Sequence, residues 1–329
     1  MYTIKVRNVS EALYVGLSTI KSMGAKIQSR AGETLEMPAP VCTTYTHPME
    51  RVLFYPQRDA NPFFHCLEAL WMLAGRNDVE FLKRYNKRME TYSDGNDILH
   101  GAYGHRWRNW FGIDQLDIAV KRLKKYPNDR RTVVQMWDSE NDLYEGNQLK
   151  DIPCNTQIYF KVREGRLNMM VTCRSNDMIW GAYGANAVHF SILQEYIAAR
   201  VGVPVGTYHQ VSDSFHAYTD VLKKLDGLVA DYDPYHEFDY MVQPLVTDAA
   251  KFDDELRKFF DSPPLTRIYR NLFFSNVADR MRAAHALWRS GDIDEALSMA
   301  GAITAPDWRK ACVEWLERRR KSDEQDIRK

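Results

Sequence analysis

Residues 151–218 read DIPCNTQIYFKVREGRLNMMVTCRSNDMIWGAYGANAVHFSILQEYIAARVGVPVGTYHQVSDSFHAY. In this stretch Pro153-Cys154 is followed by Arg174-Ser175-Asn176-Asp177, then by the segment from Gly181 to Asn186, then by His216-Ala217-Tyr218. A thiolate is a soft nucleophile for carbon, and a guanidinium clamps phosphate through two hydrogen bonds while adding positive charge beside the thiol. A carboxamide presents one donor and one acceptor to a planar base. Together they are equipment for a nucleotide. The same stretch sets out local structure. Thr156–Val162 and Leu167–Thr172 are rich in Val, Ile, Tyr and Phe and are joined through Glu164-Gly165, which predicts two strands. Ala187–Val201 has the length and apolar content of a buried helix. His216 and Tyr218, two apart on a strand, would point to the same side.

Working outward, the spacing of Leu13, Leu17 and Ile20 predicts a helix over Ser10–Met23, and Arg30–Thr34 reads as a glycine-containing turn. An apolar helix over Asn61–Leu73 carries Glu68, a carboxylate that is costly there unless partnered. A second helix is expected over Val79–Tyr92, and a strand over Arg131–Trp137. This irregular interleaving favours an α+β fold over a doubly wound sheet. Beyond about Pro244 the chain turns to helix formers over Ala249–Phe260, Ser275–Trp288, Ile293–Ala300 and Trp308–Lys321. The expected division is therefore a catalytic domain over 1–243 and a helical extension over 244–329. The basic run Arg318-Arg319-Arg320-Lys321 is expected to be a solvated helix end.

Lys+Arg and Asp+Glu balance at 44 each in 329 residues, so no global positive field points to direct nucleic-acid binding. No apolar run has bilayer length and the first residues lack a secretory pattern, so a cytoplasmic protein without membrane contact is expected. Five cysteines without paired short spacings argue against a disulfide framework and against a metal site. Cys42, Cys66, Cys173 and Cys312 read as small apolar residues. Cys173 would point away from the face that carries Arg174.

Five ordered motifs resemble the thymidylate synthase family and its pyrimidine-nucleotide hydroxymethylase relatives, over roughly Arg30 to Tyr218. Glu68-Ala69-Leu70-Trp71 is similar to the family's Glu-Leu-Leu-Trp helix, and Tyr103-Gly104-His105-Arg106-Trp107 to its Tyr-Gly-x-x-Trp segment. Asp129-Arg130-Arg131 with Val133, Val134 and Trp137 resembles its double-arginine strand, beside the Pro-Cys and Arg-Ser motifs above. The resemblance implies a large twisted mixed sheet flanked by helices. It implies Cys154 as the nucleophile that adds to C6 of a pyrimidine nucleoside monophosphate, with 5,10-methylenetetrahydrofolate as the one-carbon donor. Glu68 would organise water and proton transfer, with Tyr103 and Asn155 at the same centre. Arg30, Arg174 and Ser175 would hold the phosphate together with Arg130 and Arg131 supplied by the other subunit of a homodimer. Asn186 would read the base, Asp177 would order the loop before it, and His216 and Tyr218 would take the sugar 3′-hydroxyl.

The departures from that family pattern carry information. Asn155 stands where a histidine usually follows the cysteine, Tyr159 replaces a glutamine, and Arg88–Gly95 lacks the tryptophans that wall the folate. The segment from Gly181 to Asn186 is one residue longer, and no closing C-terminal tail is recognisable. A wetter pocket favours capture of a ring methylene by water, giving hydroxymethyl instead of methyl. Asparagine at 186 favours uracil, so a dUMP hydroxymethylase is expected. The alternatives are a dCMP or CMP hydroxymethylase, a thymidylate synthase, and a catalytically silent nucleotide-binding scaffold.

Overall fold

The computed structural model describes residues 1–143, 149–228, 234–237 and 241–327. Its centre is an eight-stranded mixed sheet in the order β1-β4-β8-β7-β6-β5, with β3 also on β8 and β2 on β3. The strands are β1 Tyr2–Val6, β2 Ala25–Ser29, β3 Gly32–Glu36, β4 Val41–Tyr45, β5 Val133–Gln135, β6 Asn155–Arg163, β7 Arg166–Asp177 and β8 Val205–Tyr218. β1–β4 and β7–β8 are parallel and the other pairs antiparallel. Glu164 and Gly165 close the β6–β7 hairpin at φ 51° and 69°. Such a two-residue turn twists with the strands it joins.

β7 runs to Asp177, past the end expected at Thr172, because its last residues still find partners on β8. The segment Arg174–Asp177 is therefore strand, but its burial phase slips by one residue: Cys173 is buried, Arg174 exposed, Ser175 half-buried and Asn176 buried again. The expected turn at Arg30–Thr34 is confined to Arg30 and Ala31, and Gly32 already starts β3. The single helix expected over Val79–Tyr92 is interrupted. Val79–Lys83 is α-helical and Lys87–Tyr92 forms a 3-10 turn, each started by its own side-chain cap, Asp78 and Asn86.

One face of the sheet is covered by the Asn186–Val201 helix, whose residues 186–198 are all buried. Leu167, Met169 and Val171 of β7, with Ile158 and Phe160 of β6, are sealed on the covered side. The other face is half-exposed. Val133, Tyr159, Met170 and His209 lie abreast across four strands, followed by Gln135, Gln157, Thr172, Val211 and Cys42 in the next row across five.

The segment before Asn186, expected to be one residue longer than the family pattern, is π-helical over Met178–Ala185, with Tyr183 and Gly184 outside helical geometry. Asp177 caps this segment by accepting from the Ile179 and Trp180 amides. A side chain at Gly184 would sit 2.9 Å from both Arg58 Nη2 and the Ile179 carbonyl, so the bulge requires glycine.

Helices Phe252–Asp261, Asp279–Arg289, Ile293–Gly301 and Pro306–Ile327 follow, close to the ranges the sequence predicts. They share one hydrophobic core with the sheet layer. Trp315 packs edge-on against Phe63 of the Pro62–Leu73 helix, and Asp253 receives Arg108, Tyr196 and Arg200. The basic run differs from the solvated end expected of it. Arg319 stacks on Trp315 with 3.6 Å to the ring centroid and pairs with Asp59 at 2.7 Å, and Arg318 reaches the same carboxylate at 3.1 Å. No helix among the described residues is long and apolar enough to cross a membrane.

Candidate active site

The loop carrying Cys154 is fixed from three sides. Asp151 accepts from the Gly101 amide at 2.8 Å, and the Tyr103 hydroxyl accepts from the amides of Cys154 and Asn155 at 3.1 and 3.2 Å. Arg174 donates from Nε to the Pro153 carbonyl at 2.9 Å and from Nη2 to the Ile152 carbonyl at 3.2 Å. The same Nη2 lies 3.9 Å from Cys154 Sγ. Burial pushes the thiol pKa up, the Arg174 charge pulls it back, and Asp151 raises it further. Arg174 is thus the one charge in this balance that favours the reactive thiolate. Removing it with Arg174→Ala should slow alkylation of Cys154 by iodoacetamide near pH 8 several-fold, because the charge that pulls the thiol pKa down is gone. Peptide mass spectrometry would follow Cys154 separately from the partly accessible Cys42. An unchanged rate would remove the arginine from thiol activation.

Behind the cysteine runs a chain of amides. Asn155 Nδ2 donates to Asn186 Oδ1 at 3.2 Å, Asn186 Nδ2 to Asn176 Oδ1 at 3.1 Å, and Asn176 Nδ2 to Ser212 Oγ at 2.9 Å. All four residues are buried. The chain fixes the amide of Asn186, and it consumes only one N–H and one lone pair, leaving one of each. Asn155 Oδ1, at the inner end beside Cys154, is buried without a partner among the described residues.

Strand register gathers the other groups. Arg174 is tied to Cys154 through its backbone amide, and Ser175 and Asp177 lie beside Ser214 and His216 on β8. The rings of His216 and Tyr218 share one side, 5.8 Å apart, as the i, i+2 spacing predicts. β3 pairs with β8 at Glu36–His216 and Thr34–Tyr218, so the exposed turn with Arg30 hangs just beyond the same end of the sheet. Burial holds the Asp177 carboxyl above the usual range against the pull of its amide partners, His216 and Arg58. Glu68 projects from the Pro62–Leu73 helix toward His189.

Arg130 and Arg131 do not join this cluster. Both are exposed, and since Val133 pairs with Tyr159, Arg131 lies abreast of the far half of β6. At roughly 3.3 Å per residue it is about 20 Å from Cys154 along the strand.

Three participants escape the sequence reading. Asn176 was visible only as one member of a polar run. His189 resembles a core histidine until its place one turn after Asn186 is known. Arg58 is buried beneath the half-exposed Trp180, 4.0 Å from the ring centroid, and donates to the Ile179 carbonyl. Burial brings its pKa down to about 10 while Asp177 and Asp59 hold it up, so it remains a cation at neutral pH.

Residues 19–253 match the family model of thymidylate synthase. The chain belongs to the thymidylate synthase family. A protein of Pseudomonas phage M6 named deoxyuridylate hydroxymethyltransferase is 47% identical over 337 residues, covering 97% of this chain and 95% of that protein. Proteins of the same name from Bacillus phage SP01 and Delftia phage PhiW-14 are 37% and 32% identical. Those matches cover 67% and 64% of this chain, and each spans 60% of the relative's own length.

Proposed function

We propose that the protein is a deoxyuridylate hydroxymethyltransferase, a one-carbon transferase that forms 5-hydroxymethyl-dUMP. The observation that carries the reading is the amide chain beside Cys154. The donor and acceptor left on Asn186 complement N3–H and O4 of uracil. The printed names of the phage relatives agree with it.

In this reading the Cys154 thiolate adds to C6 of the ring, turning C5 into an enolate-like carbon nucleophile. Bound 5,10-methylenetetrahydrofolate supplies the one-carbon unit that C5 accepts. Trp180, half-exposed and backed by the Arg58 cation, offers a flat face suited to such a bicyclic ring. Arg30, Arg174 and Ser175 hold the phosphate, His216 and Tyr218 the sugar hydroxyl, and Asp177 steadies the segment that leads to Asn186. Tyr103 keeps the cysteine loop in place. Asn155 fixes the base reader and offers its free oxygen to the base or to water. Loss of the C5 proton and of tetrahydrofolate leaves a ring methylene, to which water adds before the thiolate is expelled. Glu68 manages the protons of these steps.

The 20 Å separation of Arg130 and Arg131 from their own cysteine suits their use by a second subunit, docked through the half-exposed sheet face in a two-fold homodimer. We assign residues 1–243 to catalysis and 244–329 to an extension that braces the loop with Asp59 and Arg58. Cytoplasmic nucleotides are the expected substrate pool.

Incubation with methylenetetrahydrofolate and dUMP, dCMP or CMP, read by product mass, tests the assignment. Hydroxymethyl-dUMP without dihydrofolate is expected. Methylated product with matching dihydrofolate would replace the reading by thymidylate synthase, and a preference for cytidylate would move the base assignment. Asn186→Asp should shift the ratio of kcat/KM for dUMP over dCMP by about tenfold or more toward cytosine, since an unmatched buried polar group costs about 1 to 3 kcal/mol. An unchanged ratio would remove Asn186 as the base reader.

A further inference from the structure

Glu68 and His189 meet where the Pro62–Leu73 and Asn186–Val201 helices pack together. Glu68 Oε2 and His189 Nε2 are 3.0 Å apart, though out of line for a full hydrogen bond, and both atoms are buried with no hydrogen-bond partner among the described residues. Two bare acceptors repel at that distance, so a proton lies between them. With it on the ring, Nε2 faces Oε2 as a donor and Oε1 is left as a free base. His189 is the more deeply buried, its side chain 5% exposed against 13% for Glu68. It lies one turn beyond Asn186, which is tied to Asn155 beside the nucleophile. His65, one turn before Glu68, turns its ring toward His189 with centroids 6.4 Å apart. Burial first, then the charges of Arg58 and His189, drives the pKa of His65 well down, so the pair has an uncharged neighbour on that side.

Resting on the hydroxymethyltransferase reading, we propose that His189 is a positioning residue for the hydration step, holding Glu68 so that its free oxygen takes the proton of the attacking water. The water oxygen bonds to the exocyclic ring carbon and its proton passes to Glu68 Oε1. The electrons of the exocyclic double bond move into the ring as an enolate. The enolate then restores C5=C6 and expels the Cys154 thiolate. No electrons are gained or lost overall, so the step needs no redox partner. His189 touches neither water nor nucleotide. It acts by aiming the carboxylate.

The test uses the full-length enzyme with methylenetetrahydrofolate, dUMP and 2-mercaptoethanol, a thiol that competes with water for the ring methylene. The readout is the ratio of thioether to hydroxymethyl product. It counts only molecules that have reached the intermediate, so a smaller folded fraction in a variant does not alter it. Removing general-base assistance to water should raise the ratio about tenfold or more in His189→Leu. His189→Gln, whose side-chain amide can still donate to Glu68, should bring it most of the way back. A ratio equal to wild type in His189→Leu, with both products falling together, would overturn the proposal and leave His189 a packing residue. An equally raised ratio in both variants would also overturn it, because donation to Glu68 would then be irrelevant. If the wild-type enzyme makes thymidylate and dihydrofolate, the underlying reading and the proposal fall together. That outcome is told apart by the wild-type product alone.

Discussion

Cys154→Ala is expected to lower turnover by at least about a thousandfold, because in the proposed mechanism it removes the atom that bonds to C6. In transition-state terms that is about 4 kcal/mol or more. Affinity for dUMP should change little, since Arg174, the Asn186 amide and the His216–Tyr218 pair belong to other elements. In the proposed binding mode those groups stay in place when the thiol is gone. Equilibrium dialysis with labelled dUMP, beside product formation by chromatography, separates the two effects. Substantial hydroxymethylation by the variant would end the assignment of Cys154 as nucleophile. The cysteine nearest in sequence to the arginine, Cys173, is no substitute: burial drives its thiol far above the ordinary range and it lies on the opposite face of β7.

The second large effect is a recovery. Arg131→Ala and Cys154→Ala proteins, each nearly inactive alone, should regain about a quarter of wild-type activity when mixed in equal amounts and allowed to exchange subunits. In a two-fold dimer with shared sites, half of the randomly formed dimers are mixed, and each of these has one site with both an intact cysteine and an intact arginine. The measurement needs a check that exchange has occurred, for example by native mass spectrometry of differently tagged subunits. Verified exchange without activity would mean that Arg131 is not supplied in trans.

The groups that could be read from the sequence are those whose chemistry sits beside a rigid spacing. His216 and Tyr218 share a side because a strand repeats every two residues, and Cys173 turns away from Arg174 for the same reason. The helices after Pro244 were readable from periodicity. What could not be read depends on contacts distant in the chain. The first four strands are short, and β1 to β4 gain definition only from β8 and from one another. The break between Val79–Lys83 and Lys87–Tyr92 follows from two local caps competing with a continuous apolar pattern. The amide chain joins positions 155, 176, 186 and 212, which only the sheet brings together. Arg58 carried no signal in the sequence, and its burial beneath Trp180 depends on the π-helical segment over Met178–Ala185.

The clamp of Arg318 and Arg319 on Asp59 has a bearing on how the protein is made. Trp315 also leans on Phe63, in the same helix that presents Glu68. Domains generally fold from the amino terminus as they emerge from the ribosome. Here the first third of the chain contributes the helix that carries Glu68, yet Trp315, Arg318 and Arg319, which prop it and the loop before it, lie far along the chain. The nascent chain must therefore hold that helix without these props until residues 315–319 have been made. A chain broken before Trp315 keeps Cys154 and loses this support of the helix that carries Glu68.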